Sequence, residues 1–295
     1  MHADEIIITA DLARRLVATQ FPQWRALDLQ AIDTAGTVNA IFRLGADKAV
    51  RLCRVPWGAR DAEHEARILP ELAPLLPCRI PRILGVGKPQ GTYPWTWLVT
   101  DWIEGASPEP RALVAPEALA TDLAEFVRGL RHVAVSTTET AYRGGPLAER
   151  DPLTRAAITR LAGAIDAAAA LAVWEEALRI PAWDGPATWV HGDLLPGNLL
   201  AVDGRLSGVL DFATAGHGDP ACDLLPAWTL LPAASRDRFR SAVEVDRATW
   251  IRGRARALSI ALIALPYYRA TNPAFADMAR WTVDEVLADA RSTRV

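Results

Sequence analysis

The chain has little cysteine, little excess of charge and no long apolar run, and each shortage removes a class of protein. Three cysteines among 295 residues, Cys53, Cys78 and Cys222, are odd in number and far apart. No pair has zinc-type spacing, so neither a disulfide framework nor a metal cluster is expected. A formal charge of −3 supplies no basic face for nucleic acid. The longest apolar stretch, Ser259 to Leu265, is far too short to span a bilayer. The opening Met-His-Ala-Asp-Glu has no basic region followed by an apolar run, so no signal peptide is expected. The expectation is a cytoplasmic protein with neither nucleic-acid nor membrane partners. Oligomeric state is not encoded in these features.

Hydrophobic residues make up 51% of the chain and charged residues 23%, ordinary for a globular protein. The length allows one large core or two packed lobes. Residues 10 to 20 have helical spacing, with Thr9 or Asp11 as its start. Leu27 to Thr34, Thr37 to Leu44 and Lys48 to Val55 read as a three-strand meander with a turn at Ala35-Gly36. From Ala59 to about Ala73 the period turns helical, with Ala62, Ala66, Leu69 and Leu72 on one face and prolines at 74, 77 and 81 ending it. Strand-like segments at 82–86 and 95–101 follow.

A proline-rich stretch from Glu104-Gly105 to Pro116 is the best linker. It divides an N-terminal lobe, 1–105, from a C-terminal lobe, 106–295. Pro116 to Arg131 and Pro152 to Ala170 are rich in helix formers. Three short β-like runs between Thr188 and Phe212 interrupt the helices, one pair joined by the hairpin signal Asp203-Gly204. The expected class is α+β, with a β-rich first lobe and a mostly helical second.

Chemistry concentrates in His191-Gly192-Asp193-Leu194-Leu195-Pro196-Gly197-Asn198, followed by Asp211-Phe212. A carboxylate on a glycine-containing turn, as at Asp193, can orient a substrate hydroxyl and accept its proton. Asn198 and Asp211 offer the hard oxygen ligands that Mg²⁺ prefers, and the Asp203-Gly204 turn folds the chain back so that the two converge. Phosphoryl transfer needs this combination of a positioned nucleophile and positive charge on the phosphate oxygens. His191 reads as a brace for the loop. Asp219 and Asp223 read equally as helix-start residues, Asp219 before Pro220 being a natural cap.

These segments resemble the catalytic core of the aminoglycoside phosphotransferase family and, more distantly, of protein kinases. The resemblance continues through Gly216-His217-Gly218-Asp219-Pro220-Ala221-Cys222-Asp223-Leu224. It implies a two-lobed protein-kinase-like fold, a small-molecule kinase using ATP or GTP with Mg²⁺, and a loop-bracing role for residues 219–223. Asp193 is then the catalytic base, with Asn198 and Asp211 as metal ligands.

No Gly-x-x-x-x-Gly-Lys-[Ser/Thr] occurs, so a P-loop is excluded as the phosphate cradle. By the resemblance, Gly36, Thr37 and Asn39 lie in the phosphate-covering loop, although turns use such residues widely. The third strand carries Arg51 where kinase-like enzymes usually have lysine, a departure that a bidentate guanidinium can accommodate. Glu65 is its best partner and Glu63 the rival. The hinge falls at 100–105, where the carbonyl of Asp101 and the amide of Ile103 are expected to read the base of the nucleotide.

The acceptor is less defined. From Glu244 onward Arg247, Arg252, Arg254, Arg256, Arg269, Arg280, Arg291 and Arg294 outnumber the acids, and Trp228, Trp250, Tyr267, Tyr268 and Trp281 are present. That balance suits an amphipathic acceptor such as a macrolide at least as well as a polycationic aminoglycoside. Choline, thioribose and fructosamine kinases share the signature. A non-catalytic nucleotide-binding pseudokinase is the reading that Arg51 motivates. A protein kinase is disfavoured, because the segment after Asp211-Phe212 lacks the glycine and long activation loop.

Overall fold

The structure is a computed structural model and describes residues 5–32 and 38–292. The chain divides into two compact units: residues 1–105 with 207–213, and residues 106–206 with 214–295. The return of Ser207–Ala213 to the first unit is not visible in composition, because it depends on long-range pairing. In that segment the Val209 amide donates to the carbonyl of Arg79 at 3.0 Å.

The first unit holds strands β1 (Leu29–Ile32), β2 (Asn39–Leu44), β3 (Lys48–Cys53), β4 (Ile83–Gly87) and β5 (Trp97–Asp101). They form one antiparallel sheet in the order β1-β2-β3-β5-β4. Alternation along β2 buries Ala40, Phe42 and Leu44, the period-2 pattern of a half-buried strand. These residues join Val50, Leu52, Trp97 and Val99 in a core closed by helix α1 (Ala10–Gln20) through Leu12, Ala13, Leu16 and Val17. Truncating Phe42 or Trp97 to alanine there costs about 3–5 kcal/mol. Thr9 caps α1 by accepting the Leu12 amide at 3.2 Å, a contact that contributes about 1 kcal/mol.

Helix α2 (Gly58–Leu72) buries Ala62, Glu65, Ile68, Leu69 and Leu72. The i, i+3, i+4 spacing thus sets a carboxylate in the middle of an apolar face, with Ala66 only at its margin. Pro70 lies inside the helix rather than beyond it. Its missing amide leaves the carbonyl of Ala66 without an i+4 donor, two residues before the helix ends.

The second unit contains helices α3 (Pro116–His132), α4 (Asp151–Arg160), α5 (Ala167–Leu178), α6 (Pro226–Thr229), α7 (Ala233–Val243), α8 (Arg247–Tyr268) and α9 (Pro273–Ser292). Short strands β6 (Trp189–Val190), β7 (Leu199–Val202), β8 (Arg205–Val209) and β9 (Gly216–His217) are set among them, β8 running out into the first unit. The single helix expected over 152–170 is two. Gly163 adopts φ +85° between them, and Asp166 caps α5 by accepting the Ala169 amide at 3.0 Å. Among the described residues no helix is long and apolar enough to cross a membrane.

Helix α8 is buried nearly all round and carries three arginines inward. Arg252 and Arg256, one turn apart, share Asp219. Arg254, on the other side, meets Glu176 and Asp289. Buried charge is tolerable only when matched in this way. The arginine surplus seen in the sequence is therefore in large part internal structure.

Candidate active site

In the second unit, β6 delivers the chain to Gly192, whose φ of +79° favours a residue without a Cβ. The amides of His191 and Gly192 both donate to Asp223, each at 2.8 Å. Asp223 is 1% exposed. Burial pushes its carboxyl up, against the opposing pull of His191 and the two amides. Asp219 accepts the Ala221 amide at 3.0 Å and holds Arg252 and Arg256. Asp219 thus caps the short turn Pro220–Leu224, while Asp223, inside that turn, turns its carboxylate to the His191–Gly192 loop.

His191 is buried, and its Nδ1 accepts the Asp193 amide at 3.2 Å. The Asp193 carboxylate is held from two sides. Its Oδ2 accepts the side-chain amide of Asn198 at 3.1 Å, and its Oδ1 pairs with Arg143. The Asn198 amide nitrogen also reaches the Asp193 carbonyl at 2.8 Å. With its nitrogen so committed, Asn198 keeps its side-chain oxygen as a free hard donor.

Arg143 lies 50 residues from Asp193, too far for local spacing to pair the two. The loop that carries it is tied down at almost every residue. Ala141 donates to His217 at 2.9 Å, Tyr142 to Thr214 at 3.2 Å, and Asp219 to Gly144 at 3.1 Å. Arg256 donates to the carbonyls of Arg143 and Gly145, and the Cys222 thiol donates to that of Arg143 at 2.9 Å. Burial pushes the Cys222 thiol up to about 12, so it stays a protonated donor. A Cβ on Gly144 would lie 3.0 Å from the His217 carbonyl oxygen and 3.1 Å from the Gly218 Cα. The tandem glycines of Arg143-Gly144-Gly145 were the available signal that a cation rides on a tightly packed loop.

In the first unit, Arg51 on β3 meets Glu65 on α2 at 2.7 Å, and Asp211 lies 3.8 Å from the same guanidinium. Glu65 also accepts the Phe212 amide at 2.8 Å. Burial pushes the Glu65 carboxyl up to about 7, partly countered by Arg51. Burial works against the Arg51 charge too, but Glu65 and Asp211 outweigh it and raise the guanidinium above its ordinary value. Arg51 and the Phe212 amide both favour the ionised form of Glu65 against the burial that opposes it. Asp211 adopts φ +62°, an uncommon conformation that aspartate tolerates better than most residues. Glu63 faces elsewhere and accepts the Thr96 hydroxyl at 3.0 Å.

Of the other expected nucleotide contacts, Gly36 and Thr37 lie outside the described residues. Asn39 opens β2 opposite Cys53. Asp101 ends β5, and its side chain accepts the Arg82 amide at 2.8 Å and binds Arg79. Ile103 is buried, and its amide has no protein acceptor among the described residues. Trp228 and Trp250 pack on each other at 4.7 Å within the core. Tyr268 is different: burial first, then Tyr267 and Asp193, raise its phenol, which sits in the field of the Asp193–Arg143 pair. No cluster of three or more His, Cys, Asp or Glu side chains suited to a metal occurs among the described residues.

The phosphotransferase enzyme family model matches residues 10–258. The chain belongs to that family. It is a small-molecule kinase, 30% identical over 191 residues to viomycin phosphotransferase of Streptomyces vinaceus, an alignment covering 61% of this chain and 67% of that one. The fold of an aminoglycoside 2'-phosphotransferase in complex with GDP is similar, with a TM-score of 0.77 at 19% identity over 97% of this chain and 100% of the other. A macrolide 2'-phosphotransferase from Brachybacterium faecium gives 0.65 at 22% identity, over 93% and 97%. At these identities the two structures establish the shared protein-kinase-like fold of the enzyme.

Proposed function

We propose that the enzyme transfers the terminal phosphoryl group of ATP or GTP, with Mg²⁺, to a hydroxyl of a small antibiotic-type molecule of low positive charge. The observation that carries this reading is the Asp193 carboxylate, fixed by Asn198 on one oxygen and Arg143 on the other. A carboxylate held in one rotamer can receive the hydroxyl proton and align the oxygen for attack. Arg51, paired with Glu65, is the group for the donor's phosphates, and a guanidinium can engage two phosphate oxygens at once. Asn39, Asp101 and Ile103, with Gly36 and Thr37, are the remaining proposed nucleotide contacts.

Mg²⁺ fits the donors present. Asn198 keeps an uncommitted amide oxygen, and the Asp211 carboxylate is 42% exposed. Asn198 and Asp211 are the residues proposed to offer oxygen to this cation, which takes few protein ligands and completes its shell with phosphate and water. When bound, it neutralises charge on the donor's phosphates. The nucleotide complexes among the structural relatives, with GDP, ADP and ATP, support a nucleoside triphosphate donor.

The acceptor's charge follows from where the acids go. Asp219, Glu176, Glu285 and Asp289 are engaged by Arg252, Arg256, Arg254 and Arg236 inside the helical unit. These carboxylates are not free to receive the ammonium groups of a polycation. A macrolide-type acceptor is favoured over a polycationic aminoglycoside. The test is transfer of labelled phosphate from ATP and GTP to macrolides, aminoglycosides and viomycin, with mass spectrometry of the product. The expected result is a singly phosphorylated macrolide-type product that disappears in Asp193→Ala. Phosphorylation confined to polycations would overturn the acceptor assignment. An Asp193→Ala enzyme as active as the wild type would overturn the site.

A further inference from the structure

The inward arginines of α7 and α8 are each matched by a carboxylate. Three others are not, and one cavity gathers them. It has a volume of about 470 Å³ and lies among the end of α4, the end of α8 and the start of α9, lined by Arg160, Arg269 and Arg280. Nη1 of Arg280 donates at 2.6 Å to the carbonyl of Ala164, itself a lining residue, which fixes that guanidinium at the cavity wall. Asp277 is the one acid of the lining, and among the described residues none of the three arginines forms an ion pair with it or with another carboxylate. Leu161 and Leu265, each 8% exposed, supply an apolar wall. The lining includes no residue of the Asp193 loop, 191–198, or of the Arg143 loop, 141–145.

We propose that this cavity is a second ligand site, for a small amphipathic anion with an aromatic or alicyclic body and one acidic head group. The volume is that of a small-molecule site, an apolar enclosure with a few polar groups at chosen points. Three cations against one acid repel each other and attract an anion, and the planar guanidinium fork matches a carboxylate or phosphate through charge-assisted hydrogen bonds. Charge alone would bind weakly, because Arg160 and Arg269 are exposed and their field is screened. The body of the ligand, laid on Leu161 and Leu265, adds the apolar burial that exposed ion pairs lack. An ammonium in place of the acid meets the same three cations and is rejected. The site stands whether or not Asp193 is the catalytic base, since none of its residues belongs to the phosphotransfer machinery.

The experiment titrates the full-length protein, without nucleotide, with three probes that share one ring system: 1-naphthaleneacetate, 1-naphthaleneethanol and 1-naphthylmethylammonium. Ligand-observed NMR gives each Kd. The wild type should bind the carboxylate about ten-fold more tightly than the alcohol, and the ammonium more weakly still. This ranking needs no variant. Arg160→Gln and Arg269→Gln should each weaken the carboxylate several-fold and leave the alcohol unchanged. The double reversal Arg160→Glu with Arg269→Glu, both at exposed positions that tolerate substitution, should invert the order so that the ammonium binds best. The same reversal at Arg25 and Arg60, exposed in the first unit, should leave all three affinities as in the wild type. A wild type that binds the carboxylate no better than the alcohol, or not at all, overturns the site. So does a reversal at Arg160 and Arg269 that changes nothing, or one at Arg25 and Arg60 that acts equally.

Discussion

Oε1 of Glu65 accepts the backbone amide of Phe212 at 2.8 Å, which ties helix α2 to the residue after Asp211. The same oxygen lies 2.9 Å from Arg51. One buried carboxylate therefore positions both the strand cation and the segment that presents Asp211. Its protonation state governs the arrangement.

Burial raises Glu65 from the ordinary carboxylate value of 4.5 to about 7. Between those values the folded state binds the proton more tightly than the unfolded chain, so this group's contribution to stability falls as pH rises through that window. Function runs the other way. As pH drops below about 7 the carboxyl gains its proton and releases Arg51, so triphosphate affinity should fall. Glu65→Gln should bind nucleotide more weakly at neutral pH and lack this acid limb. Titration of nucleotide binding from pH 5.5 to 8 in both proteins checks it; an acid limb that survives in the variant counts against the assignment.

Asp193→Asn keeps the shape of the side chain but cannot accept the hydroxyl proton. Turnover should drop by about 10²–10⁴-fold, with nucleotide affinity little changed. Paired measurements of kcat and of nucleotide Kd separate this from a folding defect. A variant that loses both equally would indicate a structural role.

Asn198→Ala and Asp211→Ala should each raise the Mg²⁺ concentration needed for half-maximal activity, by about ten-fold or more. Asp211→Asn, which tolerates φ +62° as aspartate does, should retain the wild-type melting temperature. Asp211→Val should melt lower, because a β-branched side chain is strained there. Metal titrations and melting curves distinguish the two effects.

Asp223→Ala leaves the amides of His191 and Gly192 buried without an acceptor. Each such orphan costs about 1–3 kcal/mol, so a clear loss in urea stability is expected together with loss of activity. Arg256→Ala strands Asp219 beside Arg252 alone and unpins the carbonyls of Arg143 and Gly145. Breaking a buried pair costs about 3–5 kcal/mol, and the 141–145 loop should gain protease sensitivity. Chemical denaturation and limited proteolysis read these outcomes.

The local features were legible because short-range rules create them. Thr9 before α1, the alternation of β2 and β3, and the five-residue step from Asp193 to Asn198 all depend on neighbours in sequence. The presence of Glu63 and Glu65 on one helix was equally plain, but which of them meets Arg51 is settled by the face that packs. A helix-rich composition masks the break at Gly163, a single left-handed residue.

Local sequence suffices for the order of elements, the β-then-α organisation and the identities of the acidic and amide groups in the Asp193 loop. Tertiary structure alone decided that Ser207–Ala213 returns to the first unit, that the α8 arginines point inward, and that Arg143 rests on Asp193. The reason is physical. Periodicity and capping report on residues a turn or two apart, whereas pairing across 50 or more positions is selected by burial and charge matching in the folded chain.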